Sequence, residues 1–140
     1  MATIRLLSVS SRGDLQPYLA VLLELQRRGH AVTLIGSVNF QDAAAGVGLP
    51  FVPLPGDFSV VLRSEAGLAL MGGQPVRLID DAWLRTLLDQ AHAAVQGTDV
   101  LLVSPLCLWG YHLAEAVGCR LVVPAMAACA DASTVPVIGW

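Results

Sequence analysis

The sequence contains no lysine, and all eight of its basic residues are arginine. That removes a lysine Schiff base and a Walker-type phosphate lysine from its chemistry. Charge is scarce altogether, at 14% of residues against 55% hydrophobic, with a formal net charge of −3. So apolar a chain of 140 residues is not a disordered tail but one domain with its own core. With no basic excess and no basic run, it has no electrostatic footprint for nucleic acid or for anionic lipid. Cys107, Cys119 and Cys129 are odd in number and lack C-x-x-C spacing, which argues against a disulfide framework or a zinc site and for reduced, buried thiols. Metal-binding signals are missing too. There is no Asp-x-Asp or histidine cluster, and the adjacent Asp80 and Asp81 read as solvated helix acids. The opening residues lack the charged start and cleavage site of a signal peptide. Pro105 and Pro124 break the longest apolar stretches well short of the ~20 residues a spanning helix needs. A cytoplasmic protein is the expectation.

What is present is a β-α-β pattern. Ile4 to Val9 reads as a buried strand. Leu15, Tyr18, Leu19, Leu22 and Leu25 then recur at helical spacing, with Pro17 suited to the first turn and Gly29 to the position after the last. His30 is placed to meet the C-terminal carbonyls of that helix, and a second strand follows from Ala31 to Ile35. Asn39 is a candidate cap for a short helix through Ala45, and Phe51 to Leu54 reads as a third strand. Between Pro55 and Gln74 the pattern weakens to a mobile, irregular excursion with one short helix from about Ser64 to Met71. Pro75 is expected to open a long helix to about Gln96, striped by Val76, Ile79, Trp83, Leu87, His92 or Ala91, and Val95. A fourth strand over Val100 to Val103, a helix over Tyr111 to Val117 with Gly118 as its stop, and a fifth strand over Arg120 to Val123 complete the pattern. The fold class is therefore α/β, a Rossmann-like open parallel sheet of about five or more strands with helices on both faces, occupying 1–140 as a single domain. Beyond Pro124 the chain is apolar and poor in charge to Trp140, so that segment is expected either to cover something, such as a dimer partner, or to mark a piece of a longer enzyme.

Ligands of open α/β sheets lie at the carboxyl edge, where Ser10-Ser11-Arg12-Gly13-Asp14-Leu15-Gln16-Pro17 joins the first strand to the first helix. This turn has one glycine, where a dinucleotide fingerprint needs three, and it lacks the ending of a P-loop. Arg12-Gly13-Asp14 also spells a cell-adhesion triplet, a match that three residues reach by chance. Asp14 has two readings. As a cap or first-turn carboxylate it would satisfy free backbone N–H groups and the helix dipole. As a general base it would take a proton from a substrate hydroxyl, with Gly13 letting the substrate approach the backbone. His112 and His30 read first as packing or capping histidines, and Trp83, Trp109 and Phe58 first as core aromatics, with an apolar ligand pocket as the alternative.

Ser11 to Pro17, then Leu25-Gln26-Arg27-Arg28-Gly29-His30 and Val32-Thr33-Leu34, resemble the opening of GT-B glycosyltransferases related to sterol and antibiotic-aglycone transferases. Phe51-Val52-Pro53-Leu54-Pro55-Gly56-Asp57, Gly72-Gly73 and Ser104-Pro105 with Gly110-Tyr111-His112-Leu113-Ala114-Glu115 are similar to the same family's N-terminal domain, glycosyltransferase family 28 included. The resemblance covers nearly the whole chain. It implies an acceptor-binding half of an inverting enzyme, with Asp14 as base or base-orienting residue, and beside it Ser11, Arg12, Gly13, Trp109 and His112 are the candidate acceptor contacts. It implies no metal and no bound cofactor. A nucleotide-sugar donor would be held by a C-terminal GT-B domain, in cis or in trans, that these residues do not include. The acceptor would be a small molecule or a lipid, and the chain by itself would be inactive. A non-catalytic Rossmann-like binding module is the alternative from another class.

Overall fold

The computed structural model describes residues 1–9 and 12–124, with the backbone alone at 12–14. Cys129 and the apolar segment assigned a dimer contact lie outside the described residues. Five parallel strands form one sheet in the order β3-β2-β1-β4-β5. They are β1 (Thr3–Ser8), β2 (Ala31–Ser37), β3 (Phe51–Leu54), β4 (Val100–Val103) and β5 (Arg120–Val122). Apolar runs make both faces of the central strands greasy, so each face must be covered.

Alternation along the strands divides the core in two. Ile4 and Leu6 of β1, Leu34 of β2 and Leu102 of β4 meet Leu15, Tyr18 and Leu22 of α1 (Arg12–Arg27) and Ala44 of α2 (Gln41–Gly46) on one face. On the other face, Leu7, Ile35, Leu101 and Val103 meet Leu87, Ala91 and Val95 together with Leu113 and Ala114. The two connections that leave the sheet on this side carry α5 (Asp81–Ala94) and α6 (Gly110–Val117). Gly29 (φ +87°), Gly97 (φ +72°) and Gly118 (φ +70°) end α1, α5 and α6 in the left-handed conformation that costs glycine least.

Several boundaries differ from expectation. The first helix starts at Arg12, so Pro17 is its sixth residue and lies inside it, where its ring removes the bond to the Gly13 carbonyl. Asn39 caps nothing, because it sits in a 3-10 turn, Val38–Phe40, that runs directly into α2. The excursion after β3 holds two capped helices rather than one, α3 (Phe58–Arg63) and α4 (Glu65–Met71). Asp57 accepts from Ser59 N–H at 2.9 Å to begin α3, and Ser64 accepts from Gly67 N–H at 3.1 Å to begin α4. The long helix opens at Asp81, six residues after Pro75, because Asp80 accepts from Trp83 N–H at 2.7 Å and sets the start there.

The amino edge of the sheet is occupied by structural bonds. Arg5 donates to the carbonyls of Ala94 and of Gln96, the latter at 2.6 Å, and so ties β1 to the C-terminal end of α5. Asp99 accepts from Thr3 N–H at 2.7 Å. His30 meets the C-terminal carbonyls of α1 through its backbone N–H, which donates to Leu25 O at 3.1 Å, while its Nδ1 accepts from Ala2 N–H at 3.2 Å and so also holds the first strand.

Candidate functional site

β1 and β4 are neighbours at the centre of the sheet, yet the chain leaves them in opposite directions. From β1 it passes to α1 on one face, and from β4 to α6 on the other. A crevice opens between two such connections, and it lies at the carboxyl ends of the strands. Asp14, the third residue of α1, is brought to the same edge as Trp109 and His112, which open α6.

The walls beneath this crevice are tightly joined. Ser104 N–H donates to Leu7 O at 3.0 Å, and Val9 N–H donates to Cys107 Sγ at 3.1 Å. Gly110 lies directly over Val103 and Leu7, and on the far side of β1 a Cβ on Gly36 would stand 2.7 Å from the Ser8 carbonyl oxygen. Burial pushes the Cys107 thiol up, while the Ser104 hydroxyl and the Val9 N–H pull the other way. It is therefore a neutral thiol at physiological pH.

The expected site residues fall into three groups. Ser11 lies outside the described residues, and of Arg12, Gly13 and Asp14 the backbone alone is described, as the first turn of α1. Asp14 is thus a first-turn carboxylate rather than the residue preceding the helix. Trp109 is half-buried against the core between β4 and α6. His112 is a surface side chain, 80% exposed, with Nδ1 3.7 Å from Glu115 Oε2 and its ring edge-on to Tyr111 at 5.5 Å. Glu115 also accepts from the Tyr111 hydroxyl at 3.0 Å, a bond that raises the phenol pKa. Sequence reasoning gave Glu115 no role, and it read Cys107 as a reduced, buried thiol, as it is here, but without its bond to Val9. The i, i+3 and i, i+4 spacing of Glu115 from His112 and Tyr111 was the available signal for the first.

The aromatic residues expected in the core are half-buried at its margin. Trp83 and Phe58 pack against the α5 and α6 face, and Trp83 covers Gly56, whose Cβ would come within 2.7 Å of the indole. Among the described residues, no three histidine, cysteine, aspartate or glutamate side chains converge to hold a metal. Nor is any described helix long and apolar enough to cross a membrane.

The fold and its edge crevice define a Rossmann-like α/β domain of the doubly wound kind. The chain belongs to the glycosyltransferase family 28 N-terminal domain family, whose pattern it matches over residues 4–128. It is 38% identical over 120 residues to a sterol 3-beta-glucosyltransferase of Eremothecium gossypii, covering 81% of this chain and 10% of that protein. To the sterol 3-beta-glucosyltransferase of Candida albicans it is 37% identical over 122 residues, covering 82% of this chain and 8% of that protein. The chain therefore spans about a tenth or less of the curated relatives it matches. Among solved structures, a glycosyltransferase of Streptomyces sp. SF2575 superposes with a TM-score of 0.65 at 22% identity, covering 86% of this chain and 38% of that one. The glycosyltransferase of kitacinnamycin superposes with a TM-score of 0.64 at 27% identity, covering 86% of this chain and 29% of that one. The sheet is one Rossmann-like half of the GT-B fold.

Proposed function

We propose that this chain is the acceptor-binding half of an inverting glycosyltransferase that moves a sugar from a nucleoside diphosphate to an acceptor hydroxyl. The observation that carries the reading is the family match over 4–128, joined to the position of Asp14 in the first turn of α1, at the sheet's switch point. The acceptor is a lipid, a sterol or a natural product, and the reaction runs in the cytoplasm.

Asp14 takes the proton from the acceptor hydroxyl, directly or by orienting the group that does. The oxygen then forms its bond to the anomeric carbon as the bond from that carbon to the diphosphate breaks on the opposite side, which inverts the centre. Ser11, Arg12 and Gly13 border the acceptor from the same turn, with Trp109 and His112 on the opposite connection. The leaving diphosphate needs aimed donors, and these belong to a C-terminal donor-binding domain, supplied in cis or in trans.

The test is sugar transfer by the chain with and without a donor-binding domain of a family 28 relative. Transfer is expected only from the combination, and Asp14→Asn should lower kcat by about 10²–10⁴-fold. Undiminished turnover by Asp14→Asn would return the residue to the role of a helix-dipole carboxylate.

A further inference from the structure

We propose that Cys107 is a positioning residue: its buried thiol continues the β1–β4 hydrogen-bond ladder by one bond and thereby holds the segment that leads into Asp14. The inference rests on the reading of Asp14 as base or base-orienting residue.

In a parallel pair, the residue opposite position i donates its N–H to the carbonyl of i−1 and accepts at its carbonyl from the N–H of i+1. Leu7 is paired with Val103, so Ser8 falls opposite Ser104. The first of the two bonds is made, from Ser104 N–H to Leu7 O at 3.0 Å. The second would run from Val9 N–H to Ser104 O. Pro105, however, begins a 3-10 turn, Pro105–Cys107, and the Ser104 carbonyl accepts instead from Cys107 N–H at 2.8 Å. Cys107 Sγ stands in for it and receives Val9 N–H at 3.1 Å.

Cys107 is fully buried, and Val9 is 9% exposed, so water is a poor substitute acceptor at this position. Both belong to the core on the α5 and α6 side, and Val9 stands five residues before Asp14. The thiol stays neutral because burial raises its pKa, which suits a weak acceptor that brings no charge to the base of the crevice. This one side chain therefore couples the two connections that frame the crevice. The turn after β4 thereby fixes the chain at Val9, just past the end of β1.

The experiment has two readouts. In the full chain, amide hydrogen exchange at Val9 is followed in wild type, Cys107→Ala, Cys107→Val and Cys107→Ser, with Ile35 and Val52 as reporters of global opening. Removal of the acceptor should speed exchange at Val9 by about tenfold more than at the reporters, and serine should restore part of the protection. Cys107→Val fills the volume without an acceptor, so it serves where alanine fails to fold. In the combination with a donor-binding domain, the same valine variant should lose about tenfold in kcat with KM little changed, and serine should recover part of the loss. Exchange at Val9 that rises no more than at Ile35 would overturn the proposal, as would full kcat in a variant whose Val9 has lost protection. Asp14→Asn with wild-type kcat would remove the underlying reading with no change at Val9, so the two failures are distinguishable.

Discussion

Gly110 sits so close to Val103 that a Cβ on the glycine would lie 2.6 Å from the valine Cγ1 and 3.1 Å from Leu7 Cδ2. Val103 is fully buried and β-branched, so its side chain has little freedom to yield. Gly110→Ala should therefore destabilise the protein by about 1–3 kcal/mol through overpacking, although alanine is intrinsically the better helix former. Urea midpoints measure the change. A variant as stable as wild type would mean that α6 can lift off β4 without penalty, and that its first turn is not held by this contact.

Asp80 and Asp81 are both exposed acids at the start of a helix, as expected, yet they do different work. Asp80 accepts from Trp83 N–H at 2.7 Å as the cap of α5, whereas Asp81 pairs with Arg77 on the open surface. Asp80→Ala should cost about 1 kcal/mol and Asp81→Ala about 0–0.5 kcal/mol, in the same thermal or urea series. Equal losses would show that the cap contributes no more than the surface pair.

Most of the sheet is legible from residues alone. Short apolar runs such as Val100 to Val103 are bounded by turn residues, and Gly29 and Gly118 take up the positive φ that the helix stops near Arg27 and Val117 imply. The helix over Phe58 to Arg63 is not legible, because six residues rich in valine and phenylalanine carry no helical period, and the one signal is the Asp57-x-Ser59 cap. The start of α5 is concealed differently. Val76 and Ile79 keep the helical register of Trp83 and Leu87, so spacing cannot separate them from the helix, and the Asp80 cap does. At the candidate site, the turn bearing Asp14 announces itself as a strand-to-helix connection with one carboxylate. The bond from Val9 to Cys107 does not, since it depends on which residues of β1 and β4 stand opposite one another across nearly a hundred positions of chain.

Glu24, on the last turns of α1, carries the clearest pH dependence among the described residues. Its carboxylate accepts from Arg27 Nε and Nη2 and from Arg28 Nε, each at 2.8 Å, and these bonds, Arg27 first, draw its pKa from the ordinary 4.5 down to about 2. A folded-state pKa below the unfolded one means that the native state releases this proton more readily. The stabilisation is therefore fully present above about 4.5 and is lost as pH falls from there through about 2. The cluster is exposed, so salt and solvent screen it, and its effect should shrink as the Debye length falls to about 3 Å in 1 M salt. Glu24→Gln is expected to be less stable than wild type at neutral pH and low salt, with the two unfolding midpoints converging as the pH is lowered towards 2. Midpoints that stay a constant distance apart across that range would assign the difference to packing of the side chain along α1 rather than to its charge.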